Sequence, residues 1–236
     1  MSKLINLYNI LSLNVRCLCL LSVIVIFSSF TKDKTDYKIQ KVVIDPGHGG
    51  RDPGTMGTKR YSQYEKDIAL AISLKLGNYI KYAFPEIEII YTRDTDVFLE
   101  LWERTELANK ENADLFISIH CDGFTNPDPF GPSVFVMGMS KLKANMDVAM
   151  RENAVIYLED NFEEKYDGFD PKSTESYIVF SLMQNTFLDQ SILIAEKIEE
   201  EFANTAKRKS RGVKQAPFYV ISRVNMPSIL IESGFL

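Results

Sequence analysis

The stretch Lys41-Val-Val-Ile-Asp-Pro-Gly-His-Gly-Gly50 joins a short apolar run to a glycine-rich turn. Residues 41–45 predict a short buried strand, and the turn that follows carries His48. Further apolar runs predict five more strands along the chain, at residues 86–91, 114–119, 133–137, 218–222 and 228–231. Helical patterns lie between these runs, over residues 65–82, 99–112 and most of 140–207.

This alternation predicts a single α/β domain over residues 37–236, with a mostly parallel central sheet of about six strands. We expect helices on both faces of that sheet. The clearest helical pattern is residues 65–82, where Ile68 and Ile72 continue a buried stripe at four-residue spacing. The segment at about 139–190 is long for a crossover, so we interpret it as a helical insertion.

Composition excludes several classes of protein. The chain has 236 residues, of which 45% are hydrophobic and 25% charged, which is typical of one globular domain with a large core. Its net charge of −5 argues against a nucleic-acid partner, because such binding relies on basic surfaces. The three cysteines, Cys17, Cys19 and Cys121, have no spacing that predicts a disulfide framework or a cysteine zinc site.

The first 36 residues differ from the rest. Lys3 and Arg16 precede the apolar run 17–30, and a polar segment, 31–36, follows it. This pattern is typical of a secretory signal, and the run is short for a helix that must span about 30 Å of hydrocarbon. An uncleaved N-terminal anchor that associates with the membrane is the alternative, since no clean cleavage site follows. Either interpretation predicts an exported protein of the periplasm or cell envelope.

The chain contains two histidines, and each directly follows a predicted strand. His48 comes after residues 41–45, and His120 comes after residues 114–119. Because the carboxyl ends of parallel strands meet at one edge of a sheet, we expect the two imidazoles to lie close together. A single histidine there is more often a hydrogen-bonded structural residue, but two in the same position favour a functional site.

Two glutamates are candidates for the same edge. Glu65 lies near the start of the helix 65–82, on its buried stripe; a capping box with Ser62 would also explain it. Glu232 ends the apolar run 228–231, where burying a carboxylate costs several kcal/mol unless it is paired, hydrogen-bonded or protonated. It is either an acid/base beside a metal or the structural partner of an arginine, for which the candidates are Arg93, Arg104 and Arg223.

These residues together match the ligand set of a catalytic zinc site. Two imidazoles and one carboxylate, from His48, His120 and Glu65, leave a fourth position for water. Zinc lowers the pKa of bound water from about 15.7 to near 7. A neighbouring glutamate can then take the proton and pass it to a leaving amine.

Four motifs of the chain stand out: Val42-Val-Ile-Asp-Pro-Gly-His-Gly-Gly-Arg-Asp-Pro-Gly54, then Tyr64-Glu-Lys-Asp67, then a middle section from Tyr91-Thr-Arg93 to Ala113-Asp-Leu-Phe-Ile-Ser-Ile-His120, and finally Arg211-Gly-Val-Lys-Gln215 with Met226-Pro-Ser-Ile-Leu-Ile-Glu-Ser-Gly-Phe235. In this order they resemble the zinc-dependent N-acetylmuramoyl-L-alanine amidases, the group typified by enzymes that split daughter cells. The resemblance covers about 41–138 and 191–236. It implies that Zn²⁺ is the cofactor, that His48, Glu65 and His120 are its ligands, and that Glu232 is the catalytic glutamate.

The resemblance also implies a reaction and a substrate. The enzyme would hydrolyse the amide between N-acetylmuramic acid and L-alanine in bacterial peptidoglycan, for wall remodelling or daughter-cell separation, and we expect it to act as a monomer. Two alternatives stay open. One is a zinc amidohydrolase that acts on other peptides or acyl-sugars, and the other is a non-catalytic wall-binding module on the same fold.

The insertion at about 139–190 suggests a further partner. Members of this group that split cells carry an inserted helix that covers the zinc site until a partner protein moves it. Here residues 151–166 and 171–185 are rich in acidic and aromatic side chains, among them Glu159, Glu163, Glu164, Glu175 and Phe180. A blocking helix released by an activator protein is one interpretation, and a solvated surface excursion is the other.

Overall fold

The structure is a computed structural model that describes residues 38–58, 62–124, 128–140, 142–181 and 186–236. The expected signal or anchor, residues 1–36, lies outside the described residues, as does the side chain of Phe180. Within the described part of the chain, every helix is too short or too polar to cross a membrane.

Six strands form one mixed sheet, as the sequence predicts. They are β1 (Lys41–Pro46), β2 (Glu88–Tyr91), β3 (Leu115–Asp122), β4 (Ser133–Met137), β5 (Val213–Ala216) and β6 (Ser228–Phe235). Their order across the sheet is β2-β1-β3-β6-β4-β5. Strands β2, β1, β3 and β6 run parallel, while β4 lies antiparallel to β6 and parallel to β5. The carboxyl ends of β1, β3 and β6 therefore meet at one edge.

Helices cover both faces of this sheet. They are α1 (Glu65–Ala83), α2 (Leu101–Lys110), α3 (Lys143–Asn153), α4 (Phe162–Lys165), α5 (Thr174–Ser181), α6 (Leu188–Asn204) and α7 (Tyr219–Ser222). Side chains alternate across a strand, so Val42 and Ile44 pack in the apolar layer that includes Ala69 of α1 and Ala195 of α6. Val43 faces the opposite layer, which includes residues of α2, α3 and α7. The predicted α/β architecture is confirmed.

One predicted strand is wrong. Within residues 218–222, Tyr219–Ser222 form the short helix α7 instead, and the sixth strand is β5, which lies just before it. A buried apolar run of five residues has no periodicity that separates strand from helix. Pro217 stands between the two elements and cannot donate a ladder hydrogen bond, so β5 ends at Ala216. The sequence does not predict this edge strand, because it includes the polar pair Lys214 and Gln215.

The expected insertion holds helices α3, α4 and α5 and a 3-10 turn at Ala154–Leu158. Buried residues from this segment join the same apolar cluster as Phe135 and Leu230 of the sheet; they include Ala149, Ile156, Tyr166, Phe169 and Tyr177. The segment therefore packs as part of the domain core. A solvated surface excursion is wrong for it.

Candidate metal centre

The candidate residues come from four elements that meet at the carboxyl edge of β1, β3 and β6. His48 lies in the turn after β1, and Glu65 is the first residue of α1. His120 on β3 is the register partner of Glu232 on the neighbouring strand β6. The prediction that the two imidazoles lie close together is confirmed, since their ring centroids are 4.8 Å apart.

Glu65 points into the protein rather than capping its helix. Its side chain is fully buried, and its carboxylate accepts hydrogen bonds from the backbone N–H groups of Thr55 and Cys121, both at 2.9 Å. The N-cap residue of α1 is Tyr64, which makes no side-chain capping bond. A capping box with Ser62 is therefore wrong as the explanation of this glutamate.

Four side chains converge on one point. Nε2 of His48 lies 3.0 Å from Oε1 of Glu65 and 3.1 Å from Oε2 of Glu152. Despite these short distances, it forms no hydrogen bond with any described residue. Nδ1 of His120 lies 3.1 Å from the same oxygen of Glu65 and 3.2 Å from that of Glu152. A tetrahedral site with metal–ligand bonds of 2.0–2.1 Å places its ligand atoms about 3.3 Å apart. The four residues fit a metal ion.

Glu152 was not singled out by the sequence analysis. It lies near the end of α3, inside the acidic stretch 151–166, and is buried. The acids named there lie elsewhere: Glu163 and Glu164 are exposed, and the carboxylate of Glu159 accepts hydrogen bonds from the Tyr166 hydroxyl and a backbone N–H. Helical spacing does not tell which acid of such a stretch faces a site on another element.

Residues 42–236 match the Amidase_3 family, described as N-acetylmuramoyl-L-alanine amidase. The chain belongs to this family.

Similar proteins agree with this assignment. The chain is 35% identical over 200 residues to the N-acetylmuramoyl-L-alanine amidase AmiA of Escherichia coli (strain K12), covering 83% of this chain and 65% of AmiA. It is 32% identical over 201 residues to AmiC of Escherichia coli O6:H1, covering 83% of this chain and 45% of AmiC. The chain thus spans less than two thirds of the length of these relatives.

Solved structures show the same fold. An N-acetylmuramoyl-L-alanine amidase from Clostridium difficile 630 superposes with a TM-score of 0.58 at 28% identity, covering 84% of this chain and 80% of that chain. The amidase AmiC2 of Nostoc punctiforme gives a TM-score of 0.51, also at 28% identity, over 83% of this chain and 79% of its own.

In this family member, Asp52 and Gly47 orient the two imidazoles. Oδ2 of Asp52 lies 2.7 Å from Nδ1 of His48, which leaves Nε2 for the cluster. Gly47 lies against the other ring, where a Cβ would come within 2.4 Å of Cε1 and Nε2 of His120. Both residues belong to the first motif, which is the signal by which the sequence could have identified them. Their roles follow only from contacts with the two imidazoles.

The field at this point is negative. Burial would lower the pKa of His48, but Glu65 and other carboxylates outweigh burial and raise that pKa well above its ordinary value. Burial would also lower the pKa of His120, but Glu152 and Glu65 outweigh burial and raise that pKa above its ordinary value. A field that favours protons on both rings also favours a divalent cation in their place.

Glu232 is fully buried, and neither of its carboxylate oxygens has a hydrogen-bond partner among the described residues. Burial, reinforced by the charges of Asp122 and Glu152, raises the pKa of Glu232 well above its ordinary value. A cation near it is Arg151 of α3, whose Nη2 lies 3.8 Å from Oε1.

The arginines expected as structural partners of Glu232 make other contacts. Arg93 and Arg104 donate to backbone carbonyls of the turn after β1. Arg223 lies over the ring of Tyr219, 5.4 Å from its centroid. Structural pairing of Glu232 with Arg93 or Arg104 is therefore wrong.

Glu152 lines two spaces beside the cluster. A cavity of about 20 Å³ is also lined by His48 and His120. A cleft of about 280 Å³ is lined in part by His48, Glu65 and Arg151. The smaller cavity is close to the size of a single water, so of these two spaces the cleft is the one with room for a larger molecule.

Proposed function

We propose that this protein is a zinc-dependent hydrolase that cleaves the amide between N-acetylmuramic acid and L-alanine in bacterial peptidoglycan. The observation that carries the proposal is the convergence of His48, Glu65 and His120 at metal-ligand spacing beside the buried Glu232. Family membership supports the amide bond and the peptidoglycan substrate.

Zn²⁺ is the metal that this donor set suits best. Nε2 of His48, Nδ1 of His120 and a carboxylate oxygen of Glu65 are nitrogen and oxygen ligands of the kind found in catalytic zinc sites. When bound, zinc polarises the scissile carbonyl and makes its water acidic near neutral pH. The chain supplies the ligands and a buried pocket, and Asp52 orients the imidazole of His48.

Glu232 moves the proton in this proposal. Its carboxylate accepts a proton from the attacking water and then donates it to the nitrogen of the departing L-alanine, so that the amine leaves neutral. The buried, acidic surroundings that raise the pKa of Glu232 favour the protonated form needed for the second step. The rigid pairing of β3 and β6 keeps this group beside His120.

We also propose that the arrangement described here is a closed form, in which α3 blocks the site. Oε2 of Glu152 occupies the position that water or substrate needs, while Arg151 lies beside Glu232 and bonds Oε1 of Glu152 through its Nε at 2.8 Å. Opening requires α3 to move. An activator protein that binds the segment at about 139–190 would supply the free energy for this movement.

The proposed location of the protein follows from this substrate. Peptidoglycan lies outside the cytoplasm, so we propose that the chain is exported to the periplasm or cell envelope through residues 1–36, as a cleaved signal or as an anchor. The domain, proposed to span 37–236 with an insertion at about 139–190, would act as a monomer.

The test uses the purified chain and its Glu152→Ala variant on purified peptidoglycan, with and without a chelator. We expect stem peptides with a new L-alanine amine, intact glycan strands, loss of activity with chelator and recovery on adding zinc. If neither protein releases L-alanine amines when loaded with zinc, the amidase proposal is wrong. Wall binding without release would then favour a binding module, and release of other amines a different amidohydrolase.

A further inference from the structure

Two buried guanidinium groups lie behind the turn that carries His48. Arg93 follows β2 and Arg104 lies on α2, and each is only 2% exposed. Both donate to the carbonyl oxygen of Pro46, at 3.0 and 2.8 Å, so the two cations lie close together. Burial, together with the charge of Arg104, lowers the pKa of Arg93 to about 10. Asp45 is the buried carboxylate that pairs with Arg104, at 2.9 Å.

Both groups donate to consecutive backbone carbonyls of this turn. Arg104 binds the carbonyl oxygens of Pro46 and His48, each at 2.8 Å. Arg93 binds the carbonyl oxygens of Pro46 at 3.0 Å and Gly47 at 2.7 Å. The two planar guanidinium groups thus hold three successive carbonyls, those of Pro46, Gly47 and His48.

The held backbone is in an uncommon conformation. His48 has a φ of 60°, in the left-handed region that side chains other than glycine seldom adopt. Such a conformation persists only where its surroundings over-determine it, and the contact from Arg104 to the His48 carbonyl does so.

The same network reaches the elements that carry the other two ligands. Nη2 of Arg93 also donates to the carbonyl of Lys66 at 2.9 Å, one residue after Glu65. Oδ2 of Asp45 accepts a hydrogen bond of 2.7 Å from the Ser118 hydroxyl, two residues before His120 on β3. One connected set of buried contacts therefore spans the turn, α1 and β3.

A purely structural ion pair would need one arginine for Asp45. Burying a second guanidinium beside the first is unfavourable, because each loses hydration and they repel. The carbonyl contacts offset this cost only if the turn keeps its shape. Asp45, Asp96 and Asp67 act on Arg93 electrostatically, but none of them forms an ion pair with it among the described residues. The position of Arg93 is therefore better explained by the carbonyl groups that it holds than by charge pairing.

We propose that Arg93 and Arg104 are positioning residues that together set the spacing of His48, Glu65 and His120 for metal binding. They would act through the backbone of the turn, because their hydrogen bonds near the cluster go to carbonyl oxygens rather than to the side chains of the three ligands. The inference rests on the proposed metal centre, but it concerns metal affinity rather than peptidoglycan cleavage.

The experiment measures zinc affinity by competition with a chromophoric chelator. We compare the full chain with Arg93→Met, Arg104→Met, Arg93→Lys and Arg104→Lys. Loss of an outer contact of this kind lowers metal affinity about 10–100-fold, and we expect that loss for both methionine variants. Lysine keeps the charge but lacks the planar guanidinium group that bridges two carbonyls. We therefore expect the lysine variants to restore zinc affinity only in part.

Asn109→Ala is the matched control for lost stability. Asn109 lies on α2, as Arg104 does, and holds the backbone of Arg223 and Asn225 at 2.8 and 2.7 Å, away from the cluster. We expect a lower melting temperature with the zinc affinity of the parent chain.

Parent-like zinc affinity in a folded Arg104→Met or Arg104→Lys variant overturns the proposal. It is also overturned if the zinc affinity of Asn109→Ala falls in proportion to its lower stability. The same holds if none of the four arginine variants folds, since either result assigns the two arginines to folding alone. If the parent binds zinc and the arginine variants bind weakly, but L-alanine amines are never released, the proposed reaction is wrong and the positioning role stands.

Discussion

Glu232 on β6 is the register partner of His120 on β3, across two adjacent parallel strands. Neighbouring strands lie about 4.8 Å apart. The register is regular from Phe116 and Ser228 up to this pair and shifts just after it, so the regular pairing before it fixes the separation. The proposed proton carrier and one proposed ligand therefore share a rigid frame. Glu152, in contrast, lies on α3 in the insertion and is not part of the sheet.

The role of Glu232 is tested by Glu232→Gln, which keeps the shape of the side chain but cannot take up a proton. We expect hydrolysis of peptidoglycan to fall by about 10²–10⁴-fold, the range typical of a lost acid/base group. Zinc content, measured on the same sample, should equal that of the parent chain. Hydrolysis at the parent rate would remove Glu232 from the mechanism.

The closed form is tested by Glu152→Ala. Removing the carboxylate frees the position between the two imidazoles, so we expect basal hydrolysis to rise about tenfold or more, equivalent to about 1.4 kcal/mol. Three ligands remain, and zinc should stay bound. The control is Asp147→Ala on the same helix, whose exposed side chain pairs with Lys143 at 2.8 Å. An equal rate in all three proteins would contradict a block by Glu152.

Gly47 is expected to tolerate no side chain, because a Cβ would lie 2.4 Å from ring atoms of His120. Gly47→Ala should displace this imidazole and weaken zinc binding by at least about tenfold, as for other losses of ligand orientation. Gly168→Ala is a control with a left-handed φ of 72° and open space around its Cβ position. Competition with a chelator measures both, and equal affinities would show that the imidazole accommodates the methyl group.

Asp45 predicts how acid affects folding of the metal-free chain. Burial would raise its pKa, but Arg104, Thr92 and Ser118 outweigh burial and lower that pKa below the ordinary value of 3.8. The ionised form therefore stabilises the fold above pH 3.8, and this contribution is lost as the pH falls through the lower, folded-state pKa.

Asp45→Asn should remove that contribution. Because it leaves Arg104 buried without its partner, we expect the free energy of unfolding at neutral pH to fall by about 3–5 kcal/mol. Its decline with acid should also be shallower than in the parent chain. Urea unfolding at a series of pH values from neutral to below 3.8 measures both quantities. If the free energy of unfolding falls with acid equally steeply in the two proteins, the acid dependence does not come from Asp45.

Most of the site could be predicted because its residues stand next to strong local signals. His48 and His120 lie at or near the end of an apolar strand, Glu232 directly follows the apolar run 228–231, and Glu65 begins an amphipathic helix. The misassigned run 218–222 had no such signal, since a single buried turn and a short buried strand have the same apolar composition.

The sequence by itself determined the mostly parallel sheet, the strand ends that carry the two imidazoles, and the resemblance that links them to an amide bond. Only the tertiary structure decided that Glu152 completes the cluster and that Arg93 and Arg104 hold the turn behind it. The reason is physical: periodicity reports which face of an element is buried, but not which element lies against it. A carboxylate or guanidinium on a buried face acquires a role only from the groups that packing places within about 3 Å of it.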